Sequence, residues 1–96
     1  MTNRIGGNAQ MSQPRSRIAL FDAQKRILLL LRSSNEPWYP LFWDLPGGAV
    51  ESNEGEYEGA MRELLEETGL SAQPTGRSIS WYGGGAFGTA FEMEEP

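Results

Sequence analysis

The stretch GGAVESNEGEYEGAMRELLEETGL, residues 47–70, decides how this 96-residue chain folds. It contains seven glutamates, Glu51, Glu54, Glu56, Glu58, Glu63, Glu66 and Glu67, against one base, Arg62. Its second half has a helical period. Tyr57, Ala60, Met61, Leu64 and Leu65 recur at the i, i+3, i+4, i+7, i+8 spacing of one apolar stripe. Asn53 is a suitable N-cap, with Glu56 three residues on at the capping-box distance. Gly69 stands where a left-handed C-cap is expected. At about 100° per residue, Glu56, Glu63 and Glu67 fall within roughly 40° of one another, with Glu66 to one side. Glu58 is spaced to pair with Arg62, and Arg62 with Glu66. One arginine cannot neutralise the group. Carboxylates gathered on one helix face are hard oxygen ligands suited to Mg²⁺ or Mn²⁺. A solvated acidic face, or an acidic interaction helix without metal, is the alternative that composition alone leaves open.

Elsewhere the composition mostly excludes. There is no cysteine or histidine, so disulfides, thiolate chemistry, imidazole zinc sites and Ser–His triads are unavailable. Net charge is −5, yet the first 32 residues carry six bases and one acid, a distribution able to meet a phosphate. No nucleic-acid partner is expected of so acidic a chain. The longest apolar run is too short for a bilayer and the N-terminus lacks a signal-like stretch, so no membrane partner and a cytoplasmic location are expected.

Residues 1–16 are polar and aperiodic, and read as a mobile tail. RIALF (17–21) and RILLLLR (26–32) read as strands about the turn DAQK, the second buried on both faces. SSNEPWYPLF (33–42) reads as a loop rich in aromatics. WDLPGGAV (43–50) reads as a short extended segment closing in a Gly-Gly turn. GRSISWY and AFGTAFEME, on either side of GGG, form a hairpin.

Gly48, five residues, Glu54, seven residues, then RELLEETGL (62–70) resembles the signature of the Nudix hydrolases. Chance agreement at its seven fixed positions is on the order of 10⁻⁸ per starting point. The likeness covers roughly residues 17–96. It implies an α+β fold, an α/β/α sandwich in which a loop–helix–loop packs on a mixed β-sheet. It also implies divalent-metal-dependent hydrolysis of a phosphoanhydride bond in a nucleoside di- or triphosphate derivative, by water attack. Glu63, Glu66 and Glu67 would hold Mg²⁺ or Mn²⁺, with the Gly48 carbonyl nearby and Arg62 and Glu54 orienting them. Glu63 would be a metal ligand or the base. Arg62, Glu63, Glu66 and Glu67 are thus the expected catalytic group. Arg32, Trp43 and Trp81 are candidates to bind the nucleotide, since arginine pairs with phosphate and aromatic faces stack on bases. Trp38, Tyr39, Phe42, Phe87, Arg17 and Arg77 are weaker candidates of the same kind.

The chain stops at FEMEEP, where the resemblance implies further sheet and a closing helix. The 17–96 domain is therefore expected to be incomplete at its C-terminus, and a homodimer is one association that an unfinished sheet edge would favour. A non-hydrolytic nucleotide-binding module, or an inactive truncated fragment, is the competing functional expectation.

Overall fold

The computed structural model describes residues 13–83 and 85–96. Six strands and one helix follow in the order β1 (Arg15–Phe21), β2 (Leu30–Leu31), β3 (Trp43–Asp44), β4 (Gly47–Ala49), α1 (Glu56–Thr68), β5 (Gln73–Gly83) and β6 (Ala86–Glu94). Four strands form a mixed sheet in the order β4-β1-β6-β5, with β1 parallel to β6 and the other two pairings antiparallel. This is the expected α+β architecture, with α1 as its one helix among the described residues. None of the described helical residues forms a span long and apolar enough to cross a membrane.

Alternation in β1 sorts its side chains. Ser16, Ile18 and Leu20 are buried beneath α1, whereas Arg15, Arg17 and Ala19 lie on the other face. Ile18, Leu20, Ala60, Leu64 and Met93 form the core, extended by Leu28, Met61, Ala72 and Phe91. The edge of Phe91 meets the ring of Tyr57 with centroids 5.7 Å apart. The hairpin expected around GGG is β5–β6, although Gly84 lies outside the described residues.

Four expectations change. Arg15 and Ser16 belong to β1, and Gln13 and Pro14 bond Val50, so the sheet begins inside the expected tail; residues 1–12 lie outside the described residues. RILLLLR is not a doubly buried strand. Ile27 makes a single antiparallel bridge to Phe21 across the expected DAQK turn, but only Leu30–Leu31 form a strand, paired with the two-residue β3 outside the main sheet. Ile27, Leu29 and Leu31 are consequently 42%, 42% and 50% exposed. The helix starts later than expected, capped at Gly55 instead of Asn53, because the Glu58 carboxylate accepts from the Gly55 N–H at 2.7 Å. Finally, Leu65 is 59% exposed, and Gly59 joins Ala60 and Leu64 on the buried side.

The N-terminus of α1 is tied to the sheet. The buried Ser16 hydroxyl donates to the Glu56 carbonyl at 2.9 Å, and Thr89 donates to the Glu56 carboxylate at 2.9 Å. Gly69 closes the helix in the left-handed conformation, as expected.

Candidate functional site

Gly47 and Gly48, expected in a turn, instead lie in β4 paired with Arg17 and Ser16, and bring the sheet edge against the acidic side of α1. Gly47 has φ 144°, and a Cβ there would lie 2.0 Å from the Ser16 carbonyl oxygen, so only glycine lets β4 sit so close to β1. Gly48 faces the helix. A Cβ on it would come 2.6 Å from Glu63 Oε2, so the missing side chain is what leaves room for that carboxylate. Glu67 reaches the same strand, its Oε1 accepting from the Gly47 N–H at 3.1 Å. Partial burial pushes the Glu67 carboxyl above the ordinary carboxylate range, and the neighbouring Glu63 adds to this; the Gly47 N–H and Arg17 oppose it.

Arg62 organises the other carboxylates. Its Nη2 donates to Glu54 Oε1 at 2.7 Å and its Nε to Glu54 Oε2 at 3.0 Å, a two-pronged pair. Nη2 also reaches the Ala49 carbonyl at 3.1 Å, and Nη1 reaches Glu66 at 3.1 Å and Glu63 at 3.3 Å. The hydrogen bond to Glu54 is the main reason the guanidinium is held above its ordinary pKa and the Glu54 carboxyl below its own. The expected Glu58–Arg62 pair does not form, since Glu58 serves the helix cap.

Of the expected metal-binding residues, Gly48, Glu63 and Glu67 therefore meet at the β4 edge, while Glu66 is turned to Arg62. Among the described residues no three acidic side chains converge as a ready-made cation site. The donor set still fits a hard divalent cation. Two carboxylates with crowded negative charge, one of them partly buried, stand beside two strand residues that carry no side chain.

On the face of the sheet away from α1 lies a cavity of about 770 Å³. Trp38, Tyr39, Phe42 and Trp43 line one side and Trp81 another, with Arg15, Arg17, Arg32 and Asp44 among them. All three expected substrate-binding residues, Arg32, Trp43 and Trp81, thus share one cavity. Arg32 is heavily committed: Nε donates to the Trp38 carbonyl at 3.0 Å and Nη2 to Glu36 at 3.0 Å, which holds the aromatic loop in place. That loop carries two non-glycine residues at positive φ, Tyr39 (51°) and Leu41 (61°). Arg77 instead pairs with Glu92, and Phe87 is outside the cavity lining.

Two charged cavity residues, Arg15 and Asp44, are not among the sequence candidates. Arg15 falls within the expected tail, though its i, i+2 spacing to Arg17 is a strand signal. Asp44 bears no motif. Arg17 is mostly covered, and burial, with Arg15 and Arg32 close by, lowers its pKa against the opposing effect of Asp44 and Glu67. Three guanidiniums against one carboxylate among the lining residues make the cavity cationic within an acidic chain.

A model of the NUDIX domain matches residues 11–95. An m7GpppN-mRNA hydrolase of Danio rerio is 42% identical over 57 residues, covering 59% of this chain and 19% of that protein. A putative 8-oxo-dGTP diphosphatase of Bacillus subtilis is 44% identical over 55 residues, covering 57% of this chain and 34% of that protein. The chain thus spans between about a fifth and a third of these curated relatives. Among solved structures, a MutT protein from Methanosarcina mazei superposes with a TM-score of 0.65 at 28% identity, covering 88% of this chain and 65% of that one. With the family model matched along nearly the whole chain and the glycine pair, helix and sheet placed as described, the chain belongs to the NUDIX domain family.

Proposed function

We propose that this domain hydrolyses a phosphoanhydride bond in a nucleoside di- or triphosphate derivative, with Mg²⁺ or Mn²⁺, by water attack. The observation that carries the reading is the meeting of Glu63, Glu67 and Gly48 at a sheet edge that adjoins the cationic, aromatic cavity. Glu63 and Glu67 would hold the divalent cations. Glu66, paired with Arg62, would complete the ligands by a side-chain rotation. Once bound, such cations neutralise phosphate oxygens and lower the pKa of a coordinated water.

The chain's own residues do the rest. Arg62 and Glu54 fix the direction of the helix carboxylates through the two-pronged pair. Glu63 is placed to be a ligand or to accept the proton of the attacking water. Arg17 lies between Glu67 and the cavity, where it meets phosphate charge. Trp43 and Trp81 offer faces to a base, each stacked base contributing about 1–3 kcal/mol.

The test is phosphate or pyrophosphate release from a nucleotide panel with Mg²⁺. Release is expected, and Glu67→Gln should slow it by about 10²-fold or more. Absence of release, or release indifferent to that change, would sink the reading. A non-hydrolytic nucleotide-binding module is favoured by the lack of three converging acids among the described residues. Nucleotide-dependent thermal stabilisation without turnover would support it.

A further inference from the structure

β5 is the longest strand and stands at one edge of the main sheet, paired among the described residues with β6 alone. Every residue of it except Trp81 is exposed, Ile79 by 67% and Tyr82 by 88%. A free edge offers a row of unpaired N–H and C=O groups, which proteins blunt with proline, charge or bulges. Only the first half of β5 is blunted in this way. Pro74 has no N–H, the register slips between Pro74 and Ser78, and Arg77 brings a charge, its Nε donating to Glu92 at 3.2 Å. From Ser78 to Gly83 the strand is neutral, regular and free of proline.

Register also fixes which backbone groups point outward. Gly83 pairs with Ala86 across only two residues, so these two close the hairpin by exchanging hydrogen bonds. By alternation, Trp81 with Gly88 and Ile79 with Ala90 do the same. Ser78, Ser80 and Tyr82 therefore aim their N–H and C=O groups at the open edge. This set is self-complementary. Laid antiparallel about a two-fold axis at Ser80, two copies set Ser80 against Ser80 and Ser78 against Tyr82, with about six backbone hydrogen bonds. Shifting the register by two residues either way leaves only two of those three pairs. On the cavity face, Ile79 of one copy then stands opposite Trp81 of the other, a close apolar cross-strand pair. Arg77 meets Gly83 instead of another arginine, so no like charges oppose.

We propose that the Ser78–Gly83 half of β5 docks a second copy of this chain, antiparallel and centred on Ser80, joining two four-stranded sheets into one. Trp81 lines the aromatic cavity, so the partner's Ile79 buttresses that wall in each copy. A six-residue seam lies at or below the low end of specific interfaces, about 1,200 Å², so the association is reversible and depends on concentration.

Sedimentation velocity from about 10 μM to 1 mM protein tests it, and a monomer–dimer equilibrium is expected within that range. Ser80→Pro deletes the outward N–H of both copies, the donors of the two central bonds. It should weaken dimerisation at least about tenfold while Tm stays within about 3 °C, because a proline here costs the monomer no ladder bond. The chain has no cysteine, so Ser80→Cys puts its only thiol on the two-fold axis. Cα atoms of such a pair lie about 5.5 Å apart, within disulfide reach, and oxidation should give a covalent dimer. The two copies of Ser78→Cys would stand about 13 Å apart along the strands and should stay unlinked. A monomer throughout, a dimer indifferent to Ser80→Pro, or linking of Ser78→Cys as fast as Ser80→Cys overturns the proposal. If Ser80→Pro fails to fold, the two cysteine variants decide.

Discussion

Gly47 and Gly48 are adjacent, yet the structure demands glycine at each for a different reason, and exchanging each for alanine should separate fold from site. At Gly48 the backbone tolerates a side chain, and the new Cβ would meet only the end of Glu63, at 2.6 Å from Oε2 and 2.7 Å from Cδ. Restoring an ordinary contact requires that carboxylate to retreat by about 0.8 Å, which a glutamate achieves by rotating its side chain. Gly48→Ala should therefore fold normally, melt within about 3 °C of the parent, and bind Mn²⁺ roughly 10- to 100-fold more weakly. At Gly47 the obstacle is backbone: the Ser16 carbonyl oxygen at 2.0 Å and Arg17 Cα at 2.9 Å, in a conformation with φ 144°. Overpacking and backbone strain each cost about 1–3 kcal/mol, so Gly47→Ala should lower Tm by roughly 10 °C or more. Thermal melts by circular dichroism and Mn²⁺ titration by calorimetry read both variants. If Gly48→Ala binds Mn²⁺ like the parent, Glu63 is not part of a cation site at this strand. If Gly47→Ala melts like Gly48→Ala, the β4–β1 approach has been misjudged.

Leu64→Ala removes a fully buried side chain and should cost about 2–5 kcal/mol in urea denaturation, whereas Leu65→Ala, at a 59% exposed position, should cost under about 1 kcal/mol. Similar losses from both would mean that the helix is rotated from the face described. Without divalent cations, Glu67→Gln should melt above the parent at pH 7. The carboxyl's folded pKa is raised by burial and by Glu63, so its ionised form opposes folding once pH exceeds the ordinary value of 4.5. A lower melting temperature would contradict that environment. Asp22 has the opposite sign. The Arg26 backbone N–H, followed by the Arg26 side chain and the Gln24 N–H, holds its carboxyl below the ordinary 3.8. Its stabilisation is complete above that value and fades as pH falls through the folded pKa, so Asp22→Asn should flatten the acid limb of a urea-midpoint profile.

Much of the candidate site was legible because it is local. Gly48, Glu54, Arg62, Glu63 and Glu67 lie within one strand–loop–helix segment, where spacing along the chain becomes placement in space. The Arg62–Glu54 contact and the Gly69 cap follow directly from that spacing. Competition for hydrogen bonds was not legible. Asn53 is the better cap by residue type, but its capping-box partner Glu56 is taken up by Thr89, and Glu58 is available to Gly55. The leucine run misled because hydrophobic content states what a strand could bury, not whether anything lies beside it. The cavity was the least legible part. Register of the main sheet brings Arg15 and Trp81 to one face, and Asp44 reaches the same cavity from the separate β2–β3 pair.

That register also sets an order of assembly. Arg15 pairs with Gly88 and Phe21 with Glu94, each partner about 70 positions further along the chain. The parallel seam between β1 and β6 is the middle of the sheet, so no smaller sheet formed earlier in synthesis can stand in for it. Closing so long a loop is entropically slow, and until it closes α1 lacks Met93 and the Thr89 hydrogen bond to Glu56. The glutamate-bearing helix can coil early and find β4, but its N-terminal end is tied down only when β6 slides in beside β1. Folding of this domain should therefore be late, cooperative and slow for its size.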